Sequence, residues 1–235
     1  MTSPLPVALL EDLRALDTPT VCNALEVVAP SRRGGGGAYT VLPFVVPRPE
    51  LGPMVGFART ATIRSMVPSE RSAVEQTRTR LAYYDHMAEP PGPTITVIED
   101  LDPVPGYGAW WGEVNTSIHL GLGSQGVITN GSIRDIDDCA PGFRLLAGMV
   151  SPSHAHVRVE EFGVRVTVHG MTVEPGDLIH ADRHGAVVIP IDVADRITAA
   201  ANGIAAQELT LIEASRQPGF NPDVLRKLMG GDAGH

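Results

Sequence analysis

Hydrophobic positions recur at helical spacing from the start of the chain. Leu9, Leu10, Leu13 and Leu16 predict a helix over Val7–Leu16. Asp17-Thr18-Pro19-Thr20 predicts a stop and a fresh N-cap, and Val21–Val28 a second short helix. Gly34–Gly37 reads as a loop without the Lys-Ser/Thr ending of a phosphate loop. Tyr39–Val46 and Gly56–Arg64 read as strands, Ser69–Met87 as a helix capped by Ser69, and Thr94–Ile98 as a buried β-branched strand. Further strands are predicted at Gly126–Thr129, Phe143–Val150 and Val157–Val168. Another pair, Leu178–Ala181 and Ala186–Ile189, flanks the turn Asp182–Gly185. An Ala-rich helical pattern runs from Ile191 to Ser215, and Asn221–Met229 predicts a last short helix. Strands in the middle and helices at both ends predict a mixed α/β domain over residues 1–190, with residues 191–235 as its helical C-terminal arm.

Composition narrows the chemistry. The chain has 235 residues and a net charge of −9, from 18 basic and 27 acidic side chains. Lys227 is its single lysine, and the other basic residues are arginines. Lys227 lies in the C-terminal tail, a poor place for a Schiff-base nucleophile. No basic stretch marks a nucleic-acid surface, so no nucleic-acid partner is expected. No apolar run approaches the ~20 residues of a membrane span, and the N-terminus lacks a basic signal-peptide region, so a cytoplasmic protein is expected. Glycine (25) and proline (20) are abundant, which favours turns and loops. The two cysteines, Cys22 and Cys139, have no histidine at a telling spacing and read as inert thiols.

Chemistry concentrates in AWWGEVNTSIHLGLGSQGVITNGSIRDIDD, residues Ala109–Asp138. This reads as helix, glycine turn, strand and polar loop. A helix starting near Gly112 would present free backbone N–H groups at Glu113, Val114 and Asn115, and Gly112 would let a ligand come close. Asn130-Gly131 would turn the chain at the end of the next strand, with Arg134-Asp135 following. Arg134 can grip a carboxylate bidentately. Asp135 is a hard oxygen ligand suited to Mg²⁺ or Mn²⁺, and Glu113 and Asp138 add carboxylates. On spacing alone, however, an Arg–Asp pair reads first as a surface ion pair. Asp135, Asp137 and Asp138 read equally as a solvated face or as charges answering a helix dipole. His154 and His156 would share one face of a strand, but no third ligand completes a zinc set. His180 and His184 flank a tight turn, where one could border a pocket. Trp110 and Trp111 read as packing residues.

The stretch WGEVNTSIHLGLGSQGVITNGSIRD resembles the signature of the RraA-like family. That family includes the class II pyruvate aldolases that act on 4-hydroxy-4-methyl-2-oxoglutarate and 4-carboxy-4-hydroxy-2-oxoadipate. Glu113 precedes Arg134-Asp135 by the family's interval, and Asp138 follows three after Asp135. GMTVEPGDLIHADRHGAVVIP also resembles a late strand pair of the family. The resemblance implies a layered β/β/α swivelling domain, assembled as a homotrimer or hexamer with the active site between subunits. It implies a metal-dependent C–C lyase that cleaves a 4-hydroxy-2-oxo (di)carboxylate to pyruvate, with oxaloacetate decarboxylation as a second activity. Asp135 would hold Mg²⁺ or Mn²⁺, Arg134 would bind the pyruvyl oxygens, and Glu113 would position a metal-bound water for proton transfer. The backbone around Gly112, Val114 and Asn115 would bind the substrate carboxylate, and Asp138 would support the water shell. Glu208 of a neighbouring subunit, with Glu213 as second choice, would complete the site. The family also implies a rival: some members inhibit ribonuclease E by protein–protein contact and are not catalysts.

Overall fold

The structure is a computed structural model that describes residues 5–33 and 36–230. Part of the Gly34–Gly37 loop, the first four residues and the last five lie outside the described residues. Two helices open the chain, α1 (Val7–Arg14) and α2 (Thr18–Val28). Asp17 caps α2 by accepting the Thr20 N–H at 2.8 Å, and Pro19 sits in the first turn, where its missing N–H costs nothing.

Next come β1 (Met54–Arg64), α3 (Ala73–Met87), β2 (Thr94–Asp100), α4 (Glu113–Gly121) and β3 (Ser124–Thr129). After β4 (Ser132–Ile133), β5 (Arg144–Leu146), β6 (Met149–Val150), β7 (Arg158–Phe162), β8 (Val166–Val168) and β9 (Met171–Val173), the hairpin β10 (Leu178–Asp182) and β11 (Gly185–Ile189) leads to α5 (Ile197–Ser215) and α6 (Pro222–Gly230). The main sheet runs in the order β11-β10-β1-β2-β3-β5, with β1, β2, β3 and β5 parallel. Strand β1 has two antiparallel partners. Its first residues, Met54–Phe57, pair with β10, and its last, Ala61–Arg64, pair with β7.

Side-chain alternation along β1 sorts the core into layers. Val55 and Phe57 pack with Leu10, Leu13, Val21 and Leu25 of the N-terminal helices. Met54 and Ala58 face the other way, onto Val166, Val168, Met171 and Val173 of the β8–β9 hairpin. Towards the end of β1, Ala61 and Ile63 join Tyr83, Trp111 and Phe143. Hairpin, sheet and helices therefore stack as a β/β/α sandwich. Helix α5 is anchored only at its start, by buried Ile197 and Ala201, and α6 buries no residue. Among the described residues, no helix is long and apolar enough to cross a membrane.

Four local expectations are corrected. Tyr39–Val46 forms only isolated bridges, Tyr39 to Val187 and Val45 to Ala147, because Pro43 has no N–H for a ladder. Helix α3 starts later, at a capping box in which Ser72 and Glu75 satisfy each other's backbone; Ser69 has no acid three residues on. Val157–Val168 is two strands, because Gly163 at φ +65° turns the chain out of the main sheet between β7 and β8. Phe143–Val150 is likewise divided at Ala147-Gly148, with β5 in the main sheet and β6 paired to β4.

Candidate active site

The segment from Trp110 to Ala140 folds back on itself at the start of α4. Trp111 bridges to Ile133 in parallel, and the Arg134 N–H donates to the Trp111 carbonyl at 2.9 Å. This pairing lays Arg134-Asp135 directly against Gly112, the residue preceding α4. A Cβ on Gly112 would fall 2.6 Å from Asp135 Oδ2 and 3.3 Å from Arg134 Cγ. Glycine therefore leaves room for the Asp135 carboxylate to sit directly over the backbone here. Gly112 has no side chain to cap α4, so the leading N–H groups of that helix keep their hydrogen-bonding capacity.

Asp135 adopts φ +51°, a left-handed conformation that aspartate tolerates better than most residues. Its carbonyl accepts the N–H groups of Asp138 and Cys139 at 3.0 and 2.9 Å, which closes a helical turn. Arg48 fastens that turn from outside, donating to the carbonyls of Ile136, Asp137, Cys139 and Ala140 at 2.9–3.2 Å. Thr116 fastens it from within. Its hydroxyl donates to the Gly112 carbonyl at 2.8 Å and accepts the Ala140 N–H at 2.9 Å. The Asp135 carboxylate is thus held by backbone geometry alone. Among the described residues it forms one ion pair, with Arg134 Nε at 3.5 Å, and both side chains remain more than a third exposed.

Behind the turn, Asn130 pairs its side-chain amide with the backbone of Asp100, accepting at 2.7 Å and donating at 3.0 Å. The buried Asp100 carboxyl, pushed up by desolvation, accepts the N–H groups of Gly106 and Asp102. These bonds fix the end of β3, from which β4 and Arg134 follow.

Arg134 opens onto a cleft of about 780 Å³. Its walls include Tyr84 and Asn115, and the turn His154–Val157. The Tyr84 hydroxyl donates to Asn115 Oδ1 at 2.9 Å, and Asn115 Nδ2 donates to the Trp110 carbonyl at 2.6 Å. Burial pushes the Tyr84 phenol up, against the opposing field of Arg80. His154 and His156 line this cleft from a turn with Ala155 at φ +45°, which replaces the expected strand.

The expected site residues therefore divide. Gly112, Val114, Asn115, Arg134 and Asp135 gather around the start of α4. Glu113 and Asp138 are exposed nearby. Glu208 and Glu213 are exposed on α5, which packs on α1 and α2, and neither lines the cleft. Among the described residues, no three His, Cys, Asp or Glu side chains form a metal cluster within the chain.

His180, His184 and His119 lie outside the cleft. His180 is fully buried. Its Nε2–H donates to the carbonyls of Leu13 and Leu16 at 3.1 Å, so its Nδ1 accepts from the Thr18 hydroxyl at 3.0 Å. It ties the α1–α2 junction to β10 and does not border the cleft. His184 pairs with Asp182 at 3.1 Å, also outside the cleft. Cys22 is half-buried, with its thiol pushed up to about 11 by burial, and Cys139 is buried and raised for the same reason.

His119, on α4, is also fully buried. Its Nδ1–H donates to the Asn115 carbonyl and its Nε2 accepts the Tyr83 hydroxyl, both at 2.6 Å. Desolvation pushes its pKa down to about 4, from 6.5. The folded state thus resists a proton that the unfolded chain accepts. The stabilisation is complete above pH 6.5 and is lost as pH falls from there towards 4, at about 1.4 kcal/mol per pH unit. Urea midpoints measured between pH 7 and pH 4 should fall accordingly. The fall should be shallower in His119→Gln; an unchanged slope would remove His119 as the cause.

No curated protein matches the chain. A crystal structure of an uncharacterized protein from Pseudomonas syringae pv. tomato is similar, at 23% identity, with 93% of each chain covered and a TM-score of 0.67. RraAS2 of Streptomyces coelicolor, described as an unusual member of the RNase ES inhibitor RraA protein family, is 21% identical. That match covers 93% of this chain and all of the other, with a TM-score of 0.63. The RNA-processing inhibitor RraA from Thermus thermophilis is 20% identical over 71% of this chain and 90% of its own, with a TM-score of 0.50. These likenesses establish the fold. The family model described as RraA-like, Aldolase/RraA, matches residues 13–188, from α1 to the end of β11, and the chain belongs to that family.

Proposed function

We propose that the chain is a divalent-metal-dependent C–C lyase. It cleaves a 4-hydroxy-2-oxo (di)carboxylate to pyruvate, and oxaloacetate decarboxylation is a second activity through the same enolate. One observation carries the reading: an exposed Asp135 carboxylate seated over Gly112, beside Arg134 and the uncapped start of α4. Among the described residues no hydrogen bond ends on that carboxylate, so its hard oxygens fit Mg²⁺ or Mn²⁺. Asp135 would hold the ion, with Asp138 supporting its hydration and Glu208 of a neighbouring subunit completing the site in a homotrimer or hexamer. When bound, the ion supplies Lewis-acid stabilisation of negative charge on the 2-oxo group.

The chain's own groups account for the rest. The Arg134 guanidinium faces the oxygens on which the enolate charge collects. The N–H groups at Glu113, Val114 and Asn115 take the substrate's C1 carboxylate. As the C3–C4 bond breaks, its electron pair forms the enolate, C4 becomes the carbonyl of the second product, and the C4 hydroxyl gives its proton to Glu113 or to a water beside it. Glu113, exposed in the first turn of α4, serves the return of a proton to C3. Trp110, Trp111 and Cys139 stay outside the chemistry and pack beneath it.

The test is pyruvate release from 4-carboxy-4-hydroxy-2-oxoadipate and from oxaloacetate. Release should depend on added Mg²⁺ or Mn²⁺ and stop with a chelator. Turnover that survives complete metal removal overturns the reading. No release with metal present, together with capture of ribonuclease E in a pull-down, would place the chain with the inhibitors.

A further inference from the structure

The cleft that receives Arg134 has a second cationic wall. Gln76, Arg80 and Tyr84 lie four residues apart on α3, so they form one stripe of that helix, and all three line the cleft. Opposite them are His154 and His156, and no aspartate or glutamate lines the space. This is unusual on a chain with a net charge of −9. Among the described residues the other cationic side chains near the site are engaged. Arg48 binds four carbonyls, Arg71 pairs with Glu160, and Arg158 also pairs with Glu160. Arg80 makes no ion pair and no hydrogen bond there, although its field reaches Tyr84. A guanidinium left without a partner in a cleft without acids is suited to a ligand's anion.

We propose that Arg80, flanked by His154 and His156, is a specificity-determining subsite for a second carboxylate, at the end of the substrate away from the 2-oxo group. The proposal rests on the lyase reading in one respect, that Arg134 takes the 2-oxo acid end. The cleft then reads the substrate at both ends. Arg134 and the start of α4 hold the C1 end, and Arg80 selects 2-oxo acids that carry a further carboxylate over those with an alkyl tail.

The test compares two ligands of equal chain length that cannot undergo the cleavage, 2-oxoglutarate and 2-oxopentanoate. Both are titrated against the full chain with Mg²⁺ present. The protein's two tryptophans, Trp110 and Trp111, are neighbours in sequence, and Trp110 lines the cleft, so intrinsic fluorescence reports binding. In the native protein 2-oxoglutarate should bind at least tenfold more tightly. Arg80→Ala should abolish that preference and leave the affinity for 2-oxopentanoate unchanged, and Arg80→Lys should restore part of it. Arg134→Ala should weaken both ligands. Equal binding of the two ligands by the native protein, binding of neither, or a preference that survives in Arg80→Ala overturns the proposal. The readout needs no turnover. A chain that shows the preference but releases no pyruvate keeps this subsite and loses the lyase reading.

Discussion

Arg134→Ala should lower kcat for pyruvate release about a thousandfold, with the fold intact. Removing one preorganised charge partner from a developing oxyanion typically costs about 10²–10³ in rate, and in the proposed reaction Arg134 would also grip the 2-oxo acid. Its side chain is more than a third exposed and, among the described residues, its one ion pair is with Asp135, so its loss should change the melting temperature little. Arg134→Lys should recover only a fraction, since an ammonium cannot form the two parallel bonds of a guanidinium. Gly112→Ala tests the same chemistry by another route. The backbone there is extended, at φ −168°, and accepts alanine, but the new Cβ would displace the Asp135 carboxylate from its seat. A displacement of about 1 Å in a reacting group can cost ~10²-fold. Circular dichroism should show native folding in both variants while kcat falls in both. Full activity in Arg134→Ala would take the arginine out of the chemistry.

Gly148→Ala should have the opposite profile, a loss of stability of about 3 kcal/mol, at the upper end of ordinary overpacking. A Cβ on Gly148 would lie 2.3 Å from the Asn130 carbonyl oxygen and 2.9 Å from its carbon. The obstacle is backbone, which cannot swing aside as the Asp135 side chain can. The Gly148 N–H also donates to the Gly131 carbonyl at 2.9 Å, so the two segments touch at the point where β4 and β6 begin. Forcing them apart moves the Asn130-Gly131 turn and, through it, Arg134. Urea unfolding should show a lower midpoint at an unchanged slope. A native-like midpoint would mean that the turn yields easily.

The helix–turn–strand reading of residues 109–138 was legible because its signals are local. A glycine before an amphipathic helix, an Asn-Gly turn and an Arg-Asp pair are close in sequence, and the fold keeps them close in space. Arg48 was not legible, since nothing in Pro47-Arg48-Pro49 announces four carbonyls about ninety residues away. The α3 stripe of Gln76, Arg80 and Tyr84 has helical spacing, but polar residues on a helix ordinarily face solvent. Only the opposing turn at His154–Val157 makes that stripe a wall. Which histidines border the cleft was not legible for a related reason. His154 and His156 would share a face only in a strand, whereas Ala155 at φ +45° puts them in a turn, packed so closely on Gly108 that a Cβ there would fall 2.6 Å from the His154 carbonyl oxygen. Pro43 and Gly163 did carry the information that broke two expected strands, and alternation of apolar residues outweighed it.

The double pairing of β1 has a consequence for how the chain reaches this state. Residues 54–57 wait for partners over 120 residues further along, and residues 61–64 for partners about a hundred residues further along. Ladders between such distant segments carry a large loop-closure cost and form slowly. Until Arg158 and then Leu178 have been synthesised, one whole edge of the central strand has no mate. During that interval the nascent chain exposes an open, largely apolar β edge, the kind of surface that recruits other strands. The strand that organises all three layers of the finished protein is therefore also a segment whose edge an interrupted chain leaves open to other strands.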